Sequence, residues 1–497
     1  MNSLRQTSAS SFYELLLAHA HQDPDRPALM QAGHIWSYRS FVQLIDERRI
    51  WLDSAGVLPG QSVVILVGHH IHTWLILLAL RAMGVSTISI SQVHQIKALG
   101  LEKYDHLLAF EDQGALSREA VHLLGIPSVL VVPVRFPKPV TPADAHAAFE
   151  PRSGAGHVLY TSGTTGVYKK LRIDEVTDTL VAKSRADWFG YDRNTIFGEG
   201  GIGTWTAIGY KQPLAVWAAG GCVLFSVPGQ LWRDFNQFRI THTYLIPPGV
   251  TELLRQAYLF GGTHHDFQLM IGAGFLSEAH TCEAQAKLTP HITFTYGSTE
   301  VNTPPMRLDF QGDDVYWYTP SAPDRIEVVD EQGMLCPPGQ EGALRVKLTK
   351  LDFRGYLEDP SATSSMFREG YFYPGDMAIM RANGGIRVTG RTSDVLIIKG
   401  QKFTAVTHEQ RLQRRLGGIE VCLLSGIDPQ GQEVVVVALQ ASPSAEHGHA
   451  IKETLTGPLF SRMIAVYFAR FPRNDTGTEK IKRSEIRQIL KTRALIQ

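Results

Sequence analysis

The sequence predicts an α/β protein: a large N-terminal part of α/β subdomains plus a small β-barrel-like part, followed by a small α+β C-terminal domain. Three observations carry this expectation. Segments of helical period alternate with β-rich runs over residues 11 to 133 and again beyond residue 157, the pattern of strands connected by helices. Between Pro305 and Gly390 the pattern changes to short β runs with turns, which reads as a small barrel-like unit. Residues 394 to 497 then offer strands with helical stretches between them, a unit of domain size. With 497 residues and 44% hydrophobic content, the chain has enough apolar surface for large cores.

Taken in order, a helix is expected from about Phe12 to His21, a strand around Ile35-Trp36, a helix from Ser40 to Ser54 and a strand over Ser62–Val67. A helix from His70 to Met83 leads into the β-rich run Val85–Ile90. Residues Pro133 to Pro151, rich in Pro and Ala, read as a connecting segment. Further on come a helix from Glu175 to Phe189, a strand near Thr195–Phe197 and a helix from Thr204 to Ala219. Strands follow at Cys222–Phe225, Thr243–Ile246, Leu269–Gly274 and from Ile292. Short strands are expected at Arg325–Asp330 and Ala343–Lys347, and in the last unit at Val421–Leu424, Glu433–Leu439 and Met463–Ala469.

Charge and cysteine usage exclude several functions. Lys plus Arg equals Asp plus Glu, 48 each, so there is no basic field for a nucleic-acid backbone or an anionic membrane. The four cysteines lack C-x-x-C spacing, which argues against a disulfide framework or zinc site and fits a reducing cytoplasm. Leu15–Leu17 is too short for a signal h-region, and Trp74–Val85 contains Arg81 and is too short to span a membrane. His69, His70 and His72 could suggest a metal, but successive residues on a helix point apart, so they read as solvated or core histidines, and His264-His265-Asp266 reads as a solvated turn. Gly198–Gly203 matches G-x-G-x-x-G but lacks the later ribose acid of a dinucleotide site, so it reads as a glycine-rich loop above a substrate pocket.

The chemistry concentrates where the apolar run His157–Tyr160 enters Thr161, Ser162, Gly163, Thr164, Thr165, Gly166, Val167, Tyr168, Lys169 and Lys170. Gly163 and Gly166 let backbone N–H groups converge on an anion. The hydroxyls of Thr161, Ser162, Thr164 and Thr165 add adaptable donors, and Lys169 adds a compact positive charge. The G-x-x-x-x-G-K-[ST] loop of nucleotide triphosphatases is absent. Instead the stretch resembles the YTSGTTGxPKG loop of the acyl-adenylate-forming superfamily: acyl- and aryl-CoA synthetases, peptide-synthetase adenylation domains and firefly luciferase. Tyr168 stands where that family usually has proline and Lys170 where it usually has glycine, while Lys169 falls on the family's lysine.

Further motifs follow in the family's order, and the resemblance implies roles for them. Gly272, Ala273 and Gly274 would lie beside adenine. Tyr296-Gly297-Ser298-Thr299-Glu300 resembles YGxTE, with Tyr296 stacking on the base, Thr299 at the α-phosphate and Glu300 holding Mg²⁺. Gly355-Tyr356 through Thr363 and Gly370 through Asp376 also resemble the family, with Asp376 accepting both ribose hydroxyls. Arg391 would reach ribose or phosphate, and Ser393 occupies the hinge that divides residues 1–390 from a mobile domain of residues 391–497. The tail Pro472–Arg483 resembles P-x-T-x-x-G-K-x-x-R; Lys480 is preferred as the catalytic lysine because Ile481 and Arg483 flank it in the usual manner, with Lys482 as the alternative.

The resemblance implies ATP-dependent conversion of a carboxylic acid to an acyl-adenylate with pyrophosphate release, followed by transfer to a thiol. CoA is the expected acceptor; the phosphopantetheine arm of an acyl carrier protein is the alternative, and a catalytically degenerate nucleotide-binding regulator is the reading of another class. The segment after Gly203 carries no acid to pair with an amino acid's ammonium. An aryl or fatty acid is therefore expected, in an apolar pocket lined by Trp205, Ile208, Tyr210 and Phe294.

Overall fold

A computed structural model describes residues 11–110, 125–133, 136, 156–162, 168–261, 266–274, 276–312, 317–392, 395–398, 401–473 and 481–496. Two large sheets organise the N-terminal part. A six-stranded sheet runs Ser128–Val132, His106–Phe110, Ser62–Leu66, Ser86–Ile90, Gly156–Ser162, Tyr168–Asp174. Its neighbours are parallel except for the last pair. A nine-stranded sheet has five central strands in the order Gln268–Ile271, His242–Leu245, Ile196–Glu199, Cys222–Phe225, Pro27–Gln31, all parallel. His291–Tyr296 adds in parallel beside Gln268–Ile271, and antiparallel strands close both edges.

The period-2 alternation of side chains decides which core each residue joins. Val63 and Ile65 point into the cluster that also holds Leu29, Val223 and Phe225 of the nine-stranded sheet. Val64 and Leu66 point the other way, onto Ile96, Leu99 and Leu101. Cys222 and Leu224 likewise turn away to meet Trp232 and Phe235. The shared cluster is filled by helices Phe12–Gln22, Tyr38–Ser54, His70–Ala82, Glu175–Phe189 and Ala207–Ala218, so the two sheets are stacked with a helical layer between them.

Local chemistry fixes the helix ends. Ser11 and Glu14 form a reciprocal capping box. Asp174 caps Thr177, and Gly190 closes the same helix in the left-handed conformation at φ 70°. The helix expected from Thr204 begins at Ala207, because the Thr206 hydroxyl accepts the N–H of Gly209 and so serves as its N-cap. The helices Leu231–Gln237 and Pro247–Phe260 were not among the expected elements.

The short strands between residues 305 and 391 include a six-stranded antiparallel sheet, Phe367–Arg368, Tyr371–Phe372, Glu341–Lys347, Asp376–Met380, Ile386–Arg391, with Ile326–Val329 also paired to Glu341–Lys347. Beyond it, strands Val421–Ile427, Glu433–Leu439 and Met463–Tyr467 form a three-stranded sheet. Leu423, Val435 and Val437 face one apolar cluster there, and Cys422, Val434 and Val436 the other, against Ile486 and Leu490 of the last helix. This is the α+β unit expected at the C-terminus.

Candidate active site

The candidate phosphate cradle is a hairpin. Strands Gly156–Ser162 and Tyr168–Asp174 are antiparallel, with Thr161 opposite Lys169 and Ser162 opposite Tyr168. Gly163, Thr164, Thr165 and Gly166, which connect them, lie outside the described residues, as does the Ser162 side chain. Lys169 and Lys170 are successive in the strand and therefore leave by opposite faces. The Lys169 ammonium lies 5.0 Å from the centroid of the Tyr356 ring, within cation–π range. The hydroxyl of the same tyrosine donates to Glu300 Oε1 at 2.7 Å. Burial, reinforced by the Glu300 carboxylate, pushes the Tyr356 phenol well above its ordinary range, so it stays a donor. One aromatic side chain thus couples the cradle cation to the carboxylate at the end of the Tyr296–Glu300 turn.

That turn is held from two other directions. Glu300 is 6% exposed. The Thr299 carbonyl accepts from Lys211 Nζ at 3.1 Å. Burial, followed by the nearby Arg185 guanidinium, pushes the Lys211 ammonium down to about 7. Tyr296, at the end of its strand, donates through its hydroxyl to Asp376 Oδ2. Asp376 pairs across the small sheet with Arg391, whose Nε is 3.1 Å from Asp376 Oδ1. Each carboxylate oxygen of Asp376 so engaged keeps a lone pair for a further donor. Ser298 Oγ, in the same turn, is buried without a hydrogen-bond partner among the described residues.

Gly272–Gly274 follows the strand Gln268–Ile271, beside His291–Tyr296. A Cβ at Gly272 would lie 1.9 Å from the Tyr244 hydroxyl, which bonds to Thr295 Oγ1 at 2.5 Å. The glycine is thus required by this packing irrespective of any ligand. Ala273 adopts φ 61°, a left-handed conformation uncommon for a residue with a Cβ. Gly297 is open: a Cβ there would meet only Pro304 Cα, at 3.9 Å.

The four residues expected to line the acyl pocket divide into two pairs. Trp205 and Ile208 are half-buried. The Trp205 ring covers Gly203, its Nε1 is buried without a partner among the described residues, and the His70 ring lies 6.5 Å away. Tyr210 and Phe294, in contrast, are core residues at 0% and 3% exposure. Tyr210 stacks on His157 at 3.9 Å and donates to Asp178 Oδ2 at 2.6 Å, inside a network with Arg81. Phe294 packs with Leu269, Ile271 and Phe310. The structure thus places these two in core packing, with Tyr210 turned away from the side of its helix that carries Ile208 and Phe294 away from the side of its strand that carries Thr295.

Glu199, at the end of its strand, folds back so that its carboxylate accepts the N–H groups of Gly201 at 3.0 Å and Ile202 at 2.6 Å. Burial pushes this carboxyl up to about 7, against the pull of those two donors. It holds the glycine loop in shape. Lys482 begins the helix Arg483–Thr492, with Nζ 3.8 Å from Glu485, whereas Lys480 and Ser393 lie outside the described residues, as do His264 and His265. Among the described residues no group of three or more His, Cys, Asp or Glu side chains is arranged to hold a metal; His69 and His72 meet ring to ring at 5.1 Å.

Sequence reasoning gave no role to Tyr356 and did not consider Lys211. The signal for Lys211 was present, since it interrupts the apolar helix sequence AIGYKQPLAVWA, and a lysine at such a position requires a specific partner.

The chain is similar in sequence and in fold to known proteins. Acyl-coenzyme A synthetase ACSM2, mitochondrial, of Rattus norvegicus is 28% identical over 301 residues, 58% of this chain and 52% of the relative. The match therefore spans about half the length of that curated relative. The crystal structure of ATP-bound MatB from Rhodopseudomonas palustris shares the fold with a TM-score of 0.79 at 20% identity, over 97% of this chain and 99% of that one. O-succinylbenzoate coenzyme A synthetase from Bacillus subtilis, in complex with ATP and magnesium ion, does so with a TM-score of 0.78 at 18% identity, over 95% and 99%. The family model of AMP-binding enzymes matches residues 16–357, more than half of the sequence and every stretch from the cradle to Tyr356, and the chain belongs to that family.

Proposed function

We propose that this protein activates a carboxylic acid with ATP, forming an acyl-adenylate and pyrophosphate, and then transfers the acyl group to a thiol, with CoA as the acceptor. The observation that carries the reading is the meeting of separate stretches of chain at one turn: Lys169 through Tyr356 to Glu300, and Asp376 with Arg391 through Tyr296. Cations and carboxylates arranged in this way suit a nucleotide triphosphate, because they meet both the phosphate charge and the ribose hydroxyls.

In this reading the substrate carboxylate attacks the α-phosphorus and pyrophosphate leaves. Thr161, Ser162, Gly163, Thr164, Thr165, Gly166 and Lys169 hold the phosphates. Glu300 has one oxygen committed to Tyr356 and the other to offer, which fits a hard cation that also binds phosphate oxygens. Mg²⁺, when bound, neutralises phosphate charge. Asp376 and Arg391 take the ribose, Thr299 the α-phosphate, and Gly272, Ala273, Gly274, Tyr296 and Gly297 lie beside the base. Lys480 bridges the carboxylate and α-phosphate, and rotation about Ser393 of the residues that follow it withdraws Lys480 before the thiol attacks the acyl carbonyl and AMP departs.

The acid is proposed to be a neutral aryl or fatty acid, since Trp205 and Ile208 are apolar and the carboxylate of Glu199 is occupied by loop N–H groups. Magnesium in the Bacillus subtilis complex supports the cation, and the name of the rat relative supports CoA. Cys222, Cys282, Cys336 and Cys422 form no disulfide, which supports a reducing compartment: the cytoplasm, with the mitochondrial name of the rat relative marking the competing location. Among the described residues no helix is long and apolar enough to cross a membrane.

The test is a panel of carboxylic acids scored by ATP-dependent pyrophosphate release, followed by product analysis with CoA against a holo-carrier protein. Acid-dependent release with acyl-CoA as product is expected. Nucleotide binding without release for any acid would replace the reading with a regulator, and product on the carrier alone would replace the acceptor.

A further inference from the structure

Lys170 stands where the resembling loops carry glycine, and it is not an idle solvent-facing side chain. It is 9% exposed. Its Nζ donates to the Leu99 carbonyl at 2.9 Å and to Glu358 Oε2 at 2.8 Å. Its backbone bridges Leu357 antiparallel, with the Leu357 N–H donating to the Lys170 carbonyl at 2.7 Å. Backbone and side chain of one residue therefore grip two successive residues of the segment that begins with Tyr356.

The other side of the grip is unusual as well. Glu358 adopts φ 61°, a left-handed conformation that costs a residue with a Cβ and persists where surrounding contacts over-determine it. Its carboxylate pairs with Lys170 and also with Lys103. Those two ammonium groups hold the Glu358 carboxyl down to about 2, so it is charged at any working pH. The Lys103 contact is exposed on both sides and the Lys170 contact only on the Glu358 side, so solvent weakens the first more than the second. The Lys170 ammonium is buried, and without Glu358 it would keep, among the described residues, a single carbonyl for its charge. Tyr356 is fastened from the opposite end, its N–H donating to Thr363 Oγ1 at 2.8 Å.

We propose that Lys170 and Glu358 form a tether that positions Tyr356, and through it Glu300 and Lys169, for MgATP. They are positioning residues rather than catalytic ones, because neither points at the cluster that would receive the nucleotide: Lys170 leaves the cradle strand by the face opposite Lys169. The proposal rests on the adenylation reading for its consequence but not for its geometry. It also accounts for the lysine in place of glycine. A glycine there would keep the backbone bridge and lose the ammonium, and the strained Glu358 would then lose its buried partner.

The test compares wild-type protein with Glu358→Gln, Lys170→Met and Glu358→Asp. Hydrogen exchange at the Leu357 amide reports the tether directly, and kcat and KM for MgATP in pyrophosphate release report its consequence. Glu358→Gln and Lys170→Met are expected to speed Leu357 exchange by about tenfold or more and to raise KM for MgATP about five- to tenfold, with kcat within about threefold. Glu358→Asp, which keeps the charge, is expected to recover part of both, together with part of any unfolding temperature lost in the charge-removing variants. Unchanged Leu357 exchange in both charge-removing variants overturns the tether. Faster exchange with KM for MgATP unchanged overturns its positioning role, as does a loss of unfolding temperature that Glu358→Asp does not relieve. A wild-type protein that releases no pyrophosphate with any acid overturns the adenylation reading instead, and Leu357 exchange then decides the tether alone.

Discussion

Tyr356→Phe removes one oxygen from the centre of the candidate site and leaves the ring. The Lys169 ammonium, 5.0 Å from that ring's centroid, keeps its cation–π contact, so the change isolates the 2.7 Å hydrogen bond to Glu300. A hydrogen bond to a charged group contributes about 1.5–3 kcal/mol, and Glu300 is buried, where solvent does little to replace the lost donor. If that bond aims the free carboxylate oxygen, its loss should lower kcat/KM for MgATP by about ten- to hundredfold, at about 1.4 kcal/mol per decade. The assay is pyrophosphate release at saturating acid with MgATP varied, alongside urea unfolding to follow the structural share of the loss. A variant within twofold of wild type in kcat/KM would refute the reasoning, because Glu300 would then be aimed by something other than Tyr356.

Three other outcomes are expected. Lys480→Ala should reduce adenylate formation by about a hundredfold or more while sparing thioester formation from supplied acyl-adenylate, and Lys482→Ala should stay within a few-fold; equal losses in both half-reactions, or a larger loss for Lys482, would overturn the assignment. A neutral acid such as 3-phenylpropanoate should exceed phenylalanine by about a hundredfold or more in kcat/KM, because an ammonium in an apolar pocket costs several kcal/mol; equal turnover would place an acidic partner in the pocket. Glu199 has a folded carboxyl pushed from 4.5 to about 7, so the folded protein holds a proton that the unfolded chain has released between those values. Its contribution is fullest below pH 4.5 and is lost as pH rises through 7, by at most about 3 kcal/mol. Glu199→Gln should accordingly raise the unfolding temperature more at pH 8 than at pH 5, and equal shifts at the two pH values would contradict the burial argument.

Much of the architecture was readable because it is written in local chemistry. Glu175–Phe189 has an Asp before it and a Gly after it, and both bounds match the structure. Val63 to Leu66 and Cys222 to Phe225 announce themselves as β-rich runs. Pro247–Phe260 was harder to see, since a helix opening on two prolines and a glycine looks like a loop until its N-terminal turn is recognised as tolerating Pro. The burial of Tyr210 and Phe294 was not legible for a different reason: an aromatic residue near a glycine-rich loop suits a pocket and a core equally well, and the packing of helix against sheet is not written in local sequence.

By itself, the sequence determined the chemical inventory and its order: the hydroxyl- and glycine-rich loop with Lys169, the turn ending in Glu300, then Asp376 and Arg391. Tertiary structure decided which of these touch and through whom. Tyr356 lies 56 positions from Glu300 in sequence and Glu358 lies 188 from Lys170, separations at which local propensity carries no information. A hydroxyl to carboxylate contact or an ion pair of this kind forms only when the sheets and their connecting segments have already brought the partners within about 3 Å. Lys170 shows the difference most plainly. In the sequence it is a departure from a glycine, and in the fold it is the side chain that fastens the segment carrying Tyr356 to the cradle.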